Sequence, residues 1–344
     1  MTAPVALAEV WRGEFLECLH LGHVAIASAS GEITQAWGDP DQVILARSSI
    51  KMIQALPLIE SGAADAAGLT SEHLALASAS HNGAHIHTDR VNAWLAAMGK
   101  TDDDFRCGPQ RPADPQAMKE VICGPNEPCQ VHNNCSGKHA GFLTLARHLG
   151  AGPEYVDPDH PVQKAALAAF EDVTGETSPG YGIDGCSAPN FASTLGGVAR
   201  AMAKFAAAAH DGTDGGTNGG TNGGTNGGNA RPRAMSRLVS AMTAHPELVA
   251  GEGRACTQLM RAMGGRVAIK TGAEGVFTAI VPELQIGIAL KVSDGATRAS
   301  ECAIAALLVR LGVLGADHPT TKMFLNAPIT NRRGLNVGQI RSAI

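Results

Sequence analysis

The chain has 344 residues, 44% of them hydrophobic, with a mean hydropathy of −0.01 and a net charge of −5. That length allows one large domain or two average ones around a sizeable core. The mildly acidic balance and the 4% aromatic content give no electrostatic or stacking reason to expect nucleic acid or an anionic membrane as partner.

No apolar run is long enough to span a bilayer, and the N-terminus lacks a basic region followed by an apolar core, so the expected location is the cytoplasm. Eight cysteines occur without a single C-x-x-C pair. They read as buried small apolar side chains rather than a disulfide scaffold or a zinc ribbon.

Residues 5–37 read as strands, with 23–28 and 32–37 flanking a turn at Ser30-Gly31. Gly38-Asp39-Pro40 breaks the pattern, and a helix is expected from Ser48. There Met52, Ala55, Leu56 and Ile59 fall at i, i+3, i+4 and i+7, the spacing of one buried face. One turn back, that face takes in Ser48, with Lys51 at its margin. A hydroxyl and an amine three residues apart on a helix can touch. An amine kept neutral by partial burial can take the serine's proton. Alone, S-x-x-K is equally a serine N-cap beside a solvated lysine.

Further helices are expected from Ser71 with Thr70 as N-cap, over 87–98, from Ser136 to Gly150, and from Pro161 to Val173. Residues 101–134, with five prolines, read as irregular, and 177–190 as a Gly/Pro/Ser-rich loop. Phe191, Leu195, Val198, Met202 and Phe205 mark a long amphipathic helix. Gly-Gly-Thr-Asn repeats fill Asp211 to Asn229, and 211–230 is expected to be a flexible surface loop joining two helices. The repeat lacks the acidic ligands a calcium site needs.

Helices over 233–244 and 254–263 follow, then a hairpin of 276–281 with 285–292 about Pro282-Glu283. A last helix buries Ile304, Leu307, Leu308 and Leu311. Strands at both ends with helices between imply an α+β fold, its antiparallel sheet formed from both termini and packed with helices.

Two later motifs give the first one company. Ser80-His81-Asn82 closes the second helix, and Lys270-Thr271-Gly272 sits on an edge-type strand before the terminal hairpin. S-x-x-K, S-x-N and K-T-G in this order follow the pattern of serine β-lactamases and penicillin-binding proteins, with His81 in place of the usual aspartate. Two Ser/Lys pairs can then converge, and the K-T-G strand can offer backbone N–H groups to an oxyanion. The spacing departs from that pattern, because S-x-N comes early and a long stretch precedes K-T-G.

That stretch holds Asn134-Cys135-Ser136-Gly137-Lys138-His139 at a helix start and Ile183-Asp184-Gly185-Cys186 in the Gly-rich loop. With Ala46-Arg47-Ser48, Ala79-Ser80-His81, His245-Pro246-Glu247 and the run 250–254, the chain resembles the rhizobial-type (class 3) L-asparaginases from about residue 10 to 312. The repeat and the tail after Gly315 fall outside the resemblance.

The resemblance implies a β-lactamase/transpeptidase-like fold with a single catalytic domain over 5–315 and a C-terminal tail over 316–344. It implies hydrolysis of the side-chain amide of L-asparagine to L-aspartate and ammonia through an acyl-enzyme, by a homodimer. Ser48 and Lys51 match one catalytic pair, and Ser80 and Lys270 the second; the sequence leaves open which pair performs which step. Cys135, Lys138 and Cys186 match a zinc site, expected to support catalysis without being essential to it. Arg47, His139 and Asp184 match positions lining the substrate pocket, with Thr271 and Gly272 beside them.

Chemistry alone is less committal about these residues. Cys135 and Lys138 share the first turn of a helix, where the dipole favours a thiolate, yet lysine is a rare ligand because it must first lose its proton. Asp184 suits an α-ammonium and Arg47 an α-carboxylate, with an Asx-turn and a structural ion pair as the plain alternatives. A buried histidine at His81 and a core cysteine at Cys256 are the simpler readings there, and His139 and Glu252 likewise have bland ones. The rival functions are a serine β-lactamase or glutaminase, and a non-enzymatic zinc-dependent sensor.

Overall fold

The structure, a computed structural model, describes residues 2–125, 127–214 and 230–344. Its strands are β1 (Val5–Arg12), β2 (Phe15–Ser28), β3 (Ile33–Trp37), β4 (Val43–Leu45), β5 (Tyr181–Ile183), β6 (Pro189–Thr194), β7 (Ala268–Thr271), β8 (Val276–Val281), β9 (Ile286–Val292), β10 (Pro328–Thr330) and β11 (Asn336–Ser342). The chain forms two compact units, one of residues 1–49, 193–207 and 255–344, the other of 50–192 and 208–254.

The first unit is organised on an eight-stranded sheet in the order β10-β11-β1-β2-β9-β8-β7, with β3 paired to β2. Its pairings are antiparallel, and β1 meets β11 with Ala8 opposite Ser342, so the sheet is formed from both termini as expected. Residues 316–344, expected as a tail, supply β10 and β11 and the helix Pro319–Phe324. The helix and β10, of six and three residues, are too short for periodicity to reveal. In mid-sheet, Ala25 faces Ala289 and Ile26 faces Ile288, all buried, as in a strand covered on both faces. The helix Leu195–Asp214 lies directly on β9. A Cβ at Gly287 would fall 2.2 Å from Ala203 N, so only glycine permits that approach.

The second unit is mainly helical. Its helices include Ser71–Ala77, His85–Ala97, Pro115–Cys123, Ser136–His148, Pro161–Thr174 and Ala230–Ala244. Thr70 opens the first of these as expected, its backbone N–H donating to His73 Nδ1 at 3.2 Å. Ser71–Ala77 packs on Ser136–His148 so closely that a Cβ at Gly137 would lie 2.4 Å from Leu76 O.

Four local expectations are corrected. The stretch after Ser48 is a 3₁₀ turn, Arg47–Ile50, followed by the helices Lys51–Gln54 and Leu56–Glu60, and it is buried all round rather than on one face. Within 101–134 the helix Pro115–Cys123 forms because Asp114 caps it, accepting from Gln116 N and Ala117 N, with Pro115 at the first position. Residues 177–190 contain a short hairpin of β5 with β6. Phe191 belongs to β6, and the long helix starts at Leu195. Of the expected loop over 211–230, residues 211–214 end the long helix and Ala230 opens the next, while 215–229 lie outside the described residues.

Candidate active site

In the first unit, β7 brings the K-T-G motif against the turn that carries Ser48. A Cβ at Gly272 would lie 2.7 Å from Ala46 O and 3.2 Å from Ser49 N, so glycine is required for the strand to run this close. Thr278 Oγ1 on β8 donates to Ser49 O at 2.9 Å, and Ser49 Oγ donates to Ala46 O at 2.7 Å. Both bonds fix the turn from inside the core.

Arg47, which opens the turn, has φ +54°, an unusual left-handed conformation for a non-glycine residue. It lines a cavity of about 440 Å³ with His23, Val43, Leu45, Glu274 and Lys291. Ser48 is half-buried, whereas Lys270 has no exposed surface and its Nζ donates to Thr271 O at 2.8 Å. β7 closes the sheet as an edge strand, as expected.

The expected oxyanion donors are committed elsewhere. Thr271 N–H donates to Cys256 Sγ at 3.3 Å and Gly272 N–H to Val276 O at 2.8 Å.

In the second unit, Lys51 is fully buried rather than at the margin of a helix face. Its Nζ donates to Ala79 O at 2.5 Å and to Cys135 Sγ at 3.0 Å. The long stem thereby reaches the S-x-N motif. Ser80 is buried three residues beyond the helix Ser71–Ala77, and its backbone N–H donates to Val249 O at 2.9 Å.

Cys135 caps the helix Ser136–His148, with Lys138 one turn in, as the motif implied. Lys138 Nζ donates to Cys186 Sγ at 3.1 Å, and all three residues are buried. Of the two thiols, Cys186 and not Cys135 is the one whose pKa is lowered. Hydrogen bonding from Cys135 and the charge of Lys138 hold the Cys186 thiol well below its usual value, against the effect of burial. The same bond to Cys186, reinforced by burial, holds the Cys135 thiol well above its own. This outweighs the helix dipole expected to act on Cys135. Burial alone would lower the Lys138 amine, but Cys186, Cys135 and the Asp184 carboxylate together raise it.

Asp184 sits in a tight loop in which its Oδ1 accepts from Gly185 N at 2.8 Å and its carbonyl from Ser187 N at 2.8 Å. Its charge acts on Lys138 from this loop. His139 is fully buried, and burial lowers its pKa. Tyr155 OH accepts from Arg106 N at 2.8 Å and is hydrogen-bonded to His139 Nδ1 at 2.9 Å. Hydrogen bonding to Cys186 opposes that effect of burial on the His139 ring.

Tyr155 and Cys107 are the site neighbours that sequence reasoning missed. Burial and the Cys186 charge push the Cys107 thiol up to about 12. Neither residue stands in a motif or at a telling spacing.

The structure thus places Arg47, Ser48, Lys270, Thr271 and Gly272 in one unit, and Lys51, Ser80, Cys135, Lys138, His139, Asp184 and Cys186 in the other.

No curated protein matches the chain significantly. Among solved structures, Mglu in its native form aligns at 14% identity with a TM-score of 0.43, over 86% of this chain and 66% of its own, so the chain spans about two thirds of Mglu. A putative beta-lactamase from Bacteroides dorei DSM 17855 aligns at 11% identity with a TM-score of 0.43, over 84% of this chain and 93% of its own. Among the described residues no helix is long and apolar enough to cross a membrane. The sequence model of the L-asparaginase II family matches residues 8–342, from the first strand of the sheet to the last, and the chain belongs to that family.

Proposed function

We propose that this protein is an L-asparagine amidohydrolase using serine and lysine in covalent catalysis. The observation that carries the reading is the complete burial of Lys51 and Lys270, in the S-x-x-K and K-T-G motifs of a chain that belongs to an amidohydrolase family. Lysine is almost never fully buried without a reason.

In the proposed reaction Ser48 Oγ attacks the side-chain amide carbon while Lys51 takes its proton. The Lys51 amine is held in place by its bonds to Ala79 O and Cys135 Sγ. The tetrahedral intermediate collapses as the proton passes to the leaving nitrogen, giving ammonia and an aspartyl ester on Ser48. Water then cleaves the ester and releases aspartate. Lys270, as a cation, steadies Ser80 and the charge that develops on the substrate oxygen. Asp184 is assigned to the substrate ammonium and Arg47 to its carboxylate.

Zinc is proposed at Cys135, Lys138 and Cys186. The donor set fits: a thiol held well below its usual pKa, a second thiol, and an amine 3.1 Å from the first. When bound, the ion supplies positive charge that completes the deprotonation of its ligands. The Ser/Lys chemistry needs no step through it, so zinc is proposed as supportive. A homodimer is the proposed assembly.

The test is ammonia release from asparagine and glutamine, with nitrocefin cleavage measured in parallel, on wild type and Ser48→Ala. Turnover of asparagine by wild type, abolished in a normally folded Ser48→Ala, is expected. Wild-type rates in Ser48→Ala refute the nucleophile. Faster glutamine or nitrocefin turnover favours the glutaminase or β-lactamase alternative, and no turnover of any amide favours the zinc-dependent sensor. Mass spectrometry of the trapped acyl-enzyme identifies which serine carries the ester.

A further inference from the structure

We infer that His81 is a positioning residue: it fastens the Ser80 loop to the first turn of the helix Ser136–His148, and so sets the turnover rate rather than the affinity for substrate. The inference rests on the proposed role of Ser80.

The backbone around Ser80 is held at three consecutive residues by three different segments. Ala79 O accepts from Lys51 Nζ, Ser80 N donates to Val249 O, and His81 N donates to Asn134 O at 3.2 Å. The His81 side chain repeats two of these ties. Its ring is 1% exposed, so every polar atom needs an internal partner.

Gly83 N donates to Nδ1 at 3.1 Å, which makes Nδ1 an acceptor and assigns the proton to Nε2. Nε2–H therefore donates to Ser136 Oγ at 2.9 Å. The Ser136 hydroxyl in turn donates to Val131 O at 2.9 Å. Each hydrogen has one direction to point, so the chain from Gly83 to Val131 permits a single arrangement.

The face of the ring stacks on His87, with centroids 4.8 Å apart and planes at 9°. His87 Nε2 lies 2.9 Å from Glu247 O, two residues before the carbonyl that holds Ser80 N. The imidazole thus links both supports of Ser80, the Asn134–Ser136 segment and the 247–249 segment. It bonds the first directly and reaches the second through the stacked His87, a pair of contacts that filling space alone would not require.

Burial holds the ring's pKa well below the usual histidine value, so it acts as a fixed donor rather than a proton carrier. Since misplacement of a reacting group by ~1 Å costs up to about 10²-fold in rate, loosening this tie is expected to show in kcat.

Two near-isosteric variants separate the bonds. His81→Asn keeps an acceptor where Nδ1 stood but loses the donor to Ser136, whereas His81→Gln keeps the donor. The assay is steady-state ammonia release from asparagine, with thermal unfolding of each variant. His81→Asn is expected to lower kcat by roughly tenfold or more with KM changed less than about twofold, and His81→Gln to recover most of that loss. Ser136→Ala, which leaves Nε2–H without its acceptor, is expected to match His81→Asn, and the double variant to be no worse than either single one.

Wild-type kcat in a folded His81→Asn overturns the inference, as does a rise in KM alone. Equal losses in His81→Asn and His81→Gln that track equal falls in Tm also overturn it, because they mark a purely structural core residue. A wild type that hydrolyses asparagine alongside an equally active His81→Asn refutes only the positioning role. A wild type that releases no ammonia from asparagine or glutamine refutes the amidohydrolase reading and this inference with it.

Discussion

Gly272→Ala probes how closely the K-T-G strand meets the Ser48 turn. The added methyl would lie 2.7 Å from Ala46 O and 3.2 Å from Ser49 N and Cβ, where ordinary contact begins at 3.4 Å. Strand and turn must therefore separate by about 0.7 Å at the carbonyl, since interiors are packed too densely to absorb the overlap. Two of the three clashing atoms are backbone, so no flexible side-chain end can give way. The separation is opposed by the Thr278 bond to Ser49 O and by the turn bond from Gly272 N to Val276 O.

Overpacking of this kind costs about 1–3 kcal/mol, a fall of a few degrees in Tm for a protein of this size. The same shift displaces Ser48, the residue before Ser49. If about 1 Å of misplacement costs ~10²-fold, a loss of roughly ten- to hundredfold in kcat/KM for asparagine is expected. Ammonia release and thermal unfolding measure both effects. Wild-type kinetics at an unchanged Tm would refute the close approach. A lowered Tm with unchanged kinetics would show that the turn does not transmit the strand's displacement to Ser48.

Protein purified without chelator is expected to carry about one zinc per chain, bound more tightly as pH rises because Lys138 and Cys135 must release protons. Cys186→Ser should lose the ion, and a stoichiometry near zero in wild type would count against the site. Stability is expected to fall on acidification through the buried histidines. His81, His87 and His139 have folded pKa values lowered chiefly by burial, so the unfolded chain binds their protons more readily. Their contribution is therefore complete above the free-histidine pKa of ~6.5 and is lost as pH drops below it toward the folded values. Urea midpoints at pH 7 and pH 5 check this, and His87→Asn should flatten the dependence.

Much of the sheet was legible because its hairpins are local. Ser30-Gly31 and Pro282-Glu283 announce the turns, and the flanking strands alternate or run apolar over five residues or more. The last 29 residues were not, because β10 is three residues long and β11 is made strand-like mainly by its pairing with β1. The helix Pro115–Cys123 was signalled by Asp114-Pro115, a cue masked by the other prolines around it. At the candidate site, motif order located the serines and lysines, while the destinations of long side chains stayed hidden. Lys51 stands three residues from Ser48, and that spacing suggested a local pair. Four methylenes also carry its amine to Ala79 and Cys135, residues 28 and 84 positions away, which no spacing announces.

The partners of Lys51 and Lys138 argue for different work by two lysines buried in the same unit. Burying an ammonium costs several kcal/mol, which a carboxylate or thiolate partner offsets while fixing the charge. Lys138 has such company, the Cys186 thiol of lowered pKa and the Asp184 charge, and it stays a cation until something displaces its proton. Lys51 meets a carbonyl oxygen and the sulfur of Cys135, whose thiol is held in its protonated form. Those acceptors take N–H bonds from an ammonium or from a neutral amine alike, and neither supplies a full counter-charge. The first arrangement suits a ligand that gives up its proton once, to a metal. The second is the setting of the proposed base, which in that reading takes a proton from Ser48 and returns it in every cycle.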